Sequence, residues 1–260
     1  MEWIVSLYRH ELIVFAMVLA RVGGMIAAAP LGAARSWSVP FRLTAAVALA
    51  LLLTPICSQS FEPTELPYDP PQFLLAAASE LALGVVFGLA IAMLMAGAKL
   101  AGQIVANLLG LSMGDAESPA DSPSFVRLFD LTATAVFLAV GGHRQVVAAL
   151  LDAFQWVPPG AARPSIAWLD GLLGIATHSI GLGLRISAPL VVSVLLAHIA
   201  LGFVARTIPQ LKSMGMSFNV NSLVALASLS LSLGTVVWLM QDQLETVLVT
   251  LQTTLVAELN

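Results

Sequence analysis

The pentapeptide Gly110-Leu111-Ser112-Met113-Gly114 fits the G-x-S-x-G pattern that presents a nucleophilic serine in hydrolases. That pattern works where a strand turns sharply into a helix and exposes the hydroxyl. Here it closes a long apolar stretch, where two glycines are a natural helix stop. An intramembrane serine protease would need only Ser112 and a histidine on a neighbouring helix, such as His143, His178 or His198. The spacing arises easily in a chain containing this much glycine and serine, so catalysis is not expected. The four histidines (these three and His10) show no i,i+4 pairing with one another and no companion carboxylates, so neither a metal site nor a cofactor is expected. Asp115, Glu117 and Asp121 alternate with small residues in "GDAESPADSPS". The central glycine and terminal glutamate of an EF-hand loop are missing, which leaves a solvated or pore-adjacent loop.

Other residues have chemistry suited to packing in a membrane. Gly84, Gly88, Ala92 and Ala96 recur every fourth residue, a ridge of minimal side chains that lets a second helix approach closely. Lys99, Gln103 and Asn107 continue the same spacing, so the face turns from small to polar. Either Lys99 snorkels to the headgroups while the amides bond locally, or the row faces protein or water. Glu80 at the head of this segment and Arg185 at the head of a later one are candidates for intramembrane charge pairing. Glu80 could instead serve the positive end of its own helix. Twenty uncharged residues separate Arg185 from Arg206, with Pro189 either in a first turn or at a kink.

The elements that must position these residues follow from composition. Of 260 residues, 58% are hydrophobic and only 10% charged, against roughly 25% charged in soluble domains. Mean hydropathy is +0.92. A chain so apolar buries its surface against lipid or other membrane chains. The net charge of −4, with no basic run, gives no footing for nucleic acid. A single cysteine, Cys57, excludes an intrachain disulfide and is expected to act as a small buried hydrophobe. Arg21 breaks what would otherwise resemble a signal peptide, so the first apolar segment is expected to be a retained helix.

Six apolar segments are expected: Ile4–Ala29; Phe41–Cys57, ending near Pro55; Phe73–Met113; Phe125–Phe154, interrupted at Gly141-Gly142-His143-Arg144; Ile166–Leu211; and Ser217 to the C-terminus. The clearest linker is "SQSFEPTELPYDPPQ", and "VPPGAARPS" is another. A bilayer core needs about 20 helical residues, so the third segment must be two spans, one bent helix, or a hairpin partly outside the lipid. No ten-residue alternation supports a barrel. The fold class is an all-α integral membrane protein. Lys and Arg fall on both candidate sides, so orientation stays open. "LARVGG" and "VARTIPQ" share an Ala-Arg pair, a repeat too weak to favour a small-solute transporter, which is the alternative function.

Several stretches in register resemble the FliR family of type III secretion export-gate subunits. They are "ARVGGMIAAAPLG", "SVPFRLTAAVALALLLTP", "ELALGVVFGLAIAMLMAGAKLAGQIVANLLGLSMG" and "GGHRQVVAALLDAFQWVP". A fifth comprises Gly183-Leu184-Arg185, Pro189, Ala205-Arg206 and Pro209-Gln210-Leu211. The resemblance implies a non-enzymatic subunit of a flagellar or injectisome export apparatus in the bacterial inner membrane. It implies FliP-like and FliQ-like partners, long kinked hairpins within a helical gate, and passage of unfolded export substrates. It further implies a partner-like half, residues 1–157, and a C-terminal hairpin half, residues 158–260. The ridge residues would then be packing contacts, and Glu80, Lys99, Gln103, Asn107, Arg185, Arg206 and Gln210 would line a gate or subunit interface. Asp115, Glu117 and Asp121 would fall in the loop that plugs the channel, although the aromatic residues common in that loop are absent before Phe125. The family's usual Gly-Phe-Pro-Leu-Lys-like run is replaced here by Ser217-Phe218-Asn219-Val220-Asn221.

Overall fold

The computed structural model describes residues 2–29, 38–60, 69–108 and 124–207, with 227, 230, 234, 237–251 and 253–254 near the C-terminus. Every regular element among them is an α-helix. These are α1 (Glu2–Ala28), α2 (Val39–Ser60), α3 (Pro70–Leu108), α4 (Ser124–Ala139), α5 (Gly142–Trp156) and α6 (Ile166–Thr207). A further helix, α7, covers 237–251.

Local sequence accounts for the helix boundaries. Pro70 and Pro71 open α3, where a missing N–H removes no helical bond. Ser165 caps α6 by accepting a hydrogen bond at Oγ from the Ala167 amide. Gly141 takes a positive φ of 79° and separates α4 from α5, so the break is confined to Val140 and Gly141, and His143 and Arg144 already lie in α5.

One expectation at a proline is corrected, and an open one at another is decided. The second segment does not end near Pro55; α2 runs through it to Ser60. Pro189 lies deep inside α6, beyond its first turn. Each proline removes one helical hydrogen bond. Membrane helices absorb that loss through neighbouring hydroxyls and local adjustment. The third segment is one unbroken helix of 39 residues.

Each helix buries one stripe. On α2 the buried apolar positions are Ala46, Ala50, Leu53 and Cys57, spaced four, three and four apart. This stripe gives α2 a face to lay along α1, and the two helices pack together. On α6, Trp168, Ile175, Leu182, Ile186, Leu190 and Val194 repeat the pattern. The opposite faces stay apolar as well: Leu51, Leu52 and Ile56 of α2 are exposed, as are Leu195, Leu196 and Phe203 of α6. A soluble protein would put charge there. Among the described residues four helices, α1, α2, α3 and α6, contain segments long and apolar enough to cross a membrane, or five if α4 and α5 form one broken span. The chain is an all-α membrane protein.

The chain forms two compact units. Unit 1 comprises Met1–Leu94, Gly141–Thr177 and Leu244–Asn260; unit 2 comprises Met95–Val140 and His178–Gln243. Thus α3 and α6 each contribute to both units.

Candidate functional site

Unit 1 is organised around a buried ion pair. Arg21 of α1 and Glu80 of α3 are both fully buried, with Arg21 Nε donating to Glu80 Oε2 at 2.6 Å. The remaining groups of both side chains are well supplied. Arg21 Nη2 donates to the Val157 carbonyl at 3.0 Å, and Nη1 reaches the Ala153 carbonyl at 3.4 Å. The guanidinium lies 4.2 Å from the Phe154 ring centroid, a cation–π stack. These carbonyls lie at the end of α5 and on its cap residue Val157, where the macrodipole is negative; that of Ala153 also accepts the Val157 amide at 2.9 Å. No basic residue lies in the last turn of α5 itself; Arg21 supplies that charge from another helix.

Glu80 holds the linker that follows. Its Oε1 accepts the Gly160 amide at 2.8 Å. Pro158-Pro159-Gly160-Ala161 forms a turn closed by the Ala161 amide on the Pro158 carbonyl at 3.0 Å. Gly160 has a φ of 90°, the positive value that a type II turn requires at its third position, with proline favoured before it. One carboxylate therefore fixes α1 and the turn after α5 at once. Removing either member of such a pair leaves an uncompensated buried charge, at a cost of about 3–5 kcal/mol.

Glycines set the helix separation that lets this pair close. A Cβ on Gly84 would collide with the Arg21 carbonyl oxygen and lie 3.0 Å from the Met25 amide. One on Gly88 would meet the Met25 carbonyl and lie 2.8 Å from Ala28 Cβ. From α1, one on Gly24 would meet the Leu81 carbonyl and lie 3.0 Å from the Val85 amide. The contacts advance in the same sense along both helices, so α1 and α3 run parallel here. Glu80, Gly84 and Gly88 occupy one face at i, i+4 and i+8. The face that carries the carboxylate also carries the two glycines needed for close approach.

Unit 2 contains a second close crossing. A Cβ on Gly97 of α3 would collide with the Ser179 carbonyl of α6; one on Gly183 would lie 2.7 Å from the Gly97 carbonyl and 3.1 Å from Leu100 Cδ2. These helices also run parallel. On α4, Phe129 packs against Gly102, where a Cβ would sit 2.6 Å from its own Cβ.

The residues singled out in the sequence are placed as follows. Gly84 and Gly88 are buried against α1, Ala92 is half-buried and Ala96 exposed. Lys99 is half-buried, while Gln103 and Asn107 are exposed. Glu80 lies ten residues beyond the start of α3, too deep for the first-turn role, because the macrodipole's influence is confined to that turn. Its ionic partner is Arg21, whereas Arg185 and Arg206 are both exposed. Ser112, Asp115, Glu117, Asp121 and Gln210 lie outside the described residues.

Sequence reasoning missed Arg21 as the partner, and with it Gly24, Gly97, Gly102, Gly160 and Gly183 as contact positions. A signal was available: Arg21-Val22-Gly23-Gly24 and Glu80-Leu81-Ala82-Leu83-Gly84 each set a charge three or four residues before a glycine.

A family model for bacterial export proteins, family 1, matches residues 12–247. Three curated relatives each bear the name flagellar biosynthetic protein FliR. That of Escherichia coli K12 is 27% identical over 212 residues, 80% of each chain. That of Bacillus subtilis is 28% identical over 204 residues, 76% of this chain and 77% of the relative. That of Caulobacter vibrioides is 23% identical over 236 residues, 90% of this chain and 93% of the relative.

Proposed function

We propose, from the premise that this chain belongs to the bacterial export proteins, family 1, that it is a non-enzymatic membrane subunit of a flagellar-type protein export gate. It assembles with FliP-like and FliQ-like membrane proteins in the bacterial inner membrane, and unfolded proteins pass through the channel they form. The name shared by the matched relatives, flagellar biosynthetic protein FliR, supports the flagellar assignment.

One observation carries the assembly part of this proposal. At roughly 1.5 Å per residue, the 39 residues of α3 and the 42 of α6 are about 58 and 63 Å long, twice the ~30 Å of a bilayer core. Apolar side chains stay exposed along both, from Leu74 and Leu75 to Leu108 on α3 and from Ile166 and Leu169 to Phe203 on α6. Lipid can cover about half of that length, and the rest calls for protein. A subunit surrounded by other helical chains has such a surface. In that assembly the exposed row Ala96, Gln103 and Asn107, with Lys99 beside it, faces protein or the channel, and the loop holding Asp115, Glu117 and Asp121 is the plug. Residues 1–157 form the partner-like half and 158–260 the hairpin half.

Purification of the tagged chain from native membranes in mild detergent tests this. Two small apolar membrane proteins are expected in fixed ratio to it. A stable chain recovered by itself would contradict the proposal.

A further inference from the structure

The charges on α6 divide it unequally. Asp170 and Arg185 bracket fourteen uncharged residues, 171–184, and Arg185 and Arg206 bracket twenty, 186–205. The first interval is about 21 Å long and the second about 30 Å. Only the second matches the hydrocarbon thickness of a bilayer.

Both intervals expose apolar side chains and one histidine each, so the division rests on the spacing of the charges. In the shorter interval Leu173, His178, Ile180 and Leu184 are exposed, as is Asp170 at its edge. Beyond Arg185 the exposed large apolar side chains are Val192, Leu195, Leu196, Ile199 and Phe203, with His198 exposed among them. Arg185 and Arg206 are themselves exposed, where their guanidiniums can reach phosphate headgroups. Pro189 lies four residues after Arg185, so the Arg185 carbonyl loses its helical donor. At a hydrated boundary water can meet that carbonyl without help from neighbouring hydroxyls. Lys99 stands at the same level on the parallel α3, since its neighbour Leu100 packs at Gly183.

We infer that residues 186–205 of α6 are the stretch seated against lipid hydrocarbon, with Arg185 and Arg206 at the phosphate layers of opposite leaflets. Residues 166–184 stand outside the hydrocarbon and present Leu169, Leu173 and Ile180 to other protein. Gln103 and Asn107, which continue past the Lys99 level on α3, belong on a face turned from lipid, because an exposed amide gains nothing from hydrocarbon. This placement holds or fails independently of what the assembly exports, because it concerns only which surface meets the bilayer.

The test uses cysteine accessibility in the assembled protein. Cys57, the chain's single cysteine, is replaced (Cys57→Ala), and new cysteines are introduced singly as Leu184→Cys, Leu196→Cys and Thr207→Cys, leaving both arginines in place. A membrane-impermeant maleimide is applied to spheroplasts and to inside-out vesicles. Leu184→Cys is expected to react from one side only and Thr207→Cys only from the other, with Leu196→Cys unreactive until detergent is added. Reaction of both ends from the same side, or of Leu196→Cys in intact membranes, would overturn the placement. A photoreactive benzoylphenylalanine at Leu196 then identifies the neighbour, with the same residue at Asn107 as reference. A phospholipid adduct at 196 and a protein adduct or none at 107 are expected. A protein adduct at 196 overturns the lipid assignment. Val192 and Ile199 lie on the same exposed stripe and replace Leu196 if that variant does not accumulate.

Discussion

Gly84 of α3 lies directly against the backbone carbonyl of Arg21, whose side chain is held by Glu80 one turn earlier on α3. Backbone and side chain of one residue are thus gripped by a single face of a neighbouring helix. The glycine sets how near the helices come, and the carboxylate sets their rotation and register. A buried ion pair adds little net stability over a well-packed apolar pair, but its loss on one side is expensive. Its contribution is to select one arrangement of α1, α3 and the end of α5.

The first prediction concerns the pair itself. Arg21→Ala and Glu80→Ala should each destabilise the chain by about 3–5 kcal/mol, reducing its accumulation in membranes and lowering the melting temperature in detergent. The double replacement Arg21→Leu with Glu80→Leu should cost less than the two single losses combined, because no unpaired charge remains. Equal or greater loss in the double variant would assign the effect to packing alone.

Much of this fold could be derived from the sequence. Among the described residues its apolar segments are helices, "VPPGAARPS" is a connection, and the break at Gly141 is a helix boundary. Pro55 misled because water-based helix rules stop a helix at proline, whereas α2 continues through it. The ridge beginning at Gly84 was visible as a four-residue period, but the helix lying on it was not. Arg21 and Glu80 are 59 positions apart, and spacing rules connect only residues within a helix turn or two. Arg185, at the head of a long uncharged run, was the more conspicuous candidate partner for Glu80. Pairing is decided by three-dimensional proximity, and Arg21 won it through Gly24 and Gly84.

Two glycines on adjacent faces give a controlled comparison. Gly84→Ala should disrupt the α1–α3 crossing, since the new Cβ meets helix backbone that has no room to yield. Gly23→Ala meets nothing within 4 Å and should be tolerated or mildly stabilising, by up to about 1 kcal/mol from helix propensity. Thermal unfolding of the solubilised chain measures both. Equal effects at the two positions would remove the case for close approach.

Gly160→Ala should act on the same centre from the linker. A non-glycine residue at φ 90° is strained by about 1–2 kcal/mol, and relief of that strain draws the amide away from Glu80 Oε1. The loss should shrink when Glu80 is already Leu in the double-Leu background, leaving only the strain. Stabilities of the four variants in a thermodynamic cycle give the coupling.

If the chain is the proposed gate subunit, Ser112→Ala should leave export unchanged, because such a subunit needs no serine nucleophile. Secretion of filament or hook proteins into the medium is the readout. Loss of secretion with normal accumulation of the chain would reopen the hydrolase assignment.

Affinity purification of the tagged chain from native membranes, with mass spectrometry of what accompanies it, tests the central claim most directly. The proposal predicts two small apolar membrane proteins in fixed stoichiometry, FliP-like and FliQ-like in sequence, retained with the wild-type chain and lost with Gly84→Leu. A monodisperse chain with no companion, stable in detergent and active in moving a small solute across liposomes, would contradict it.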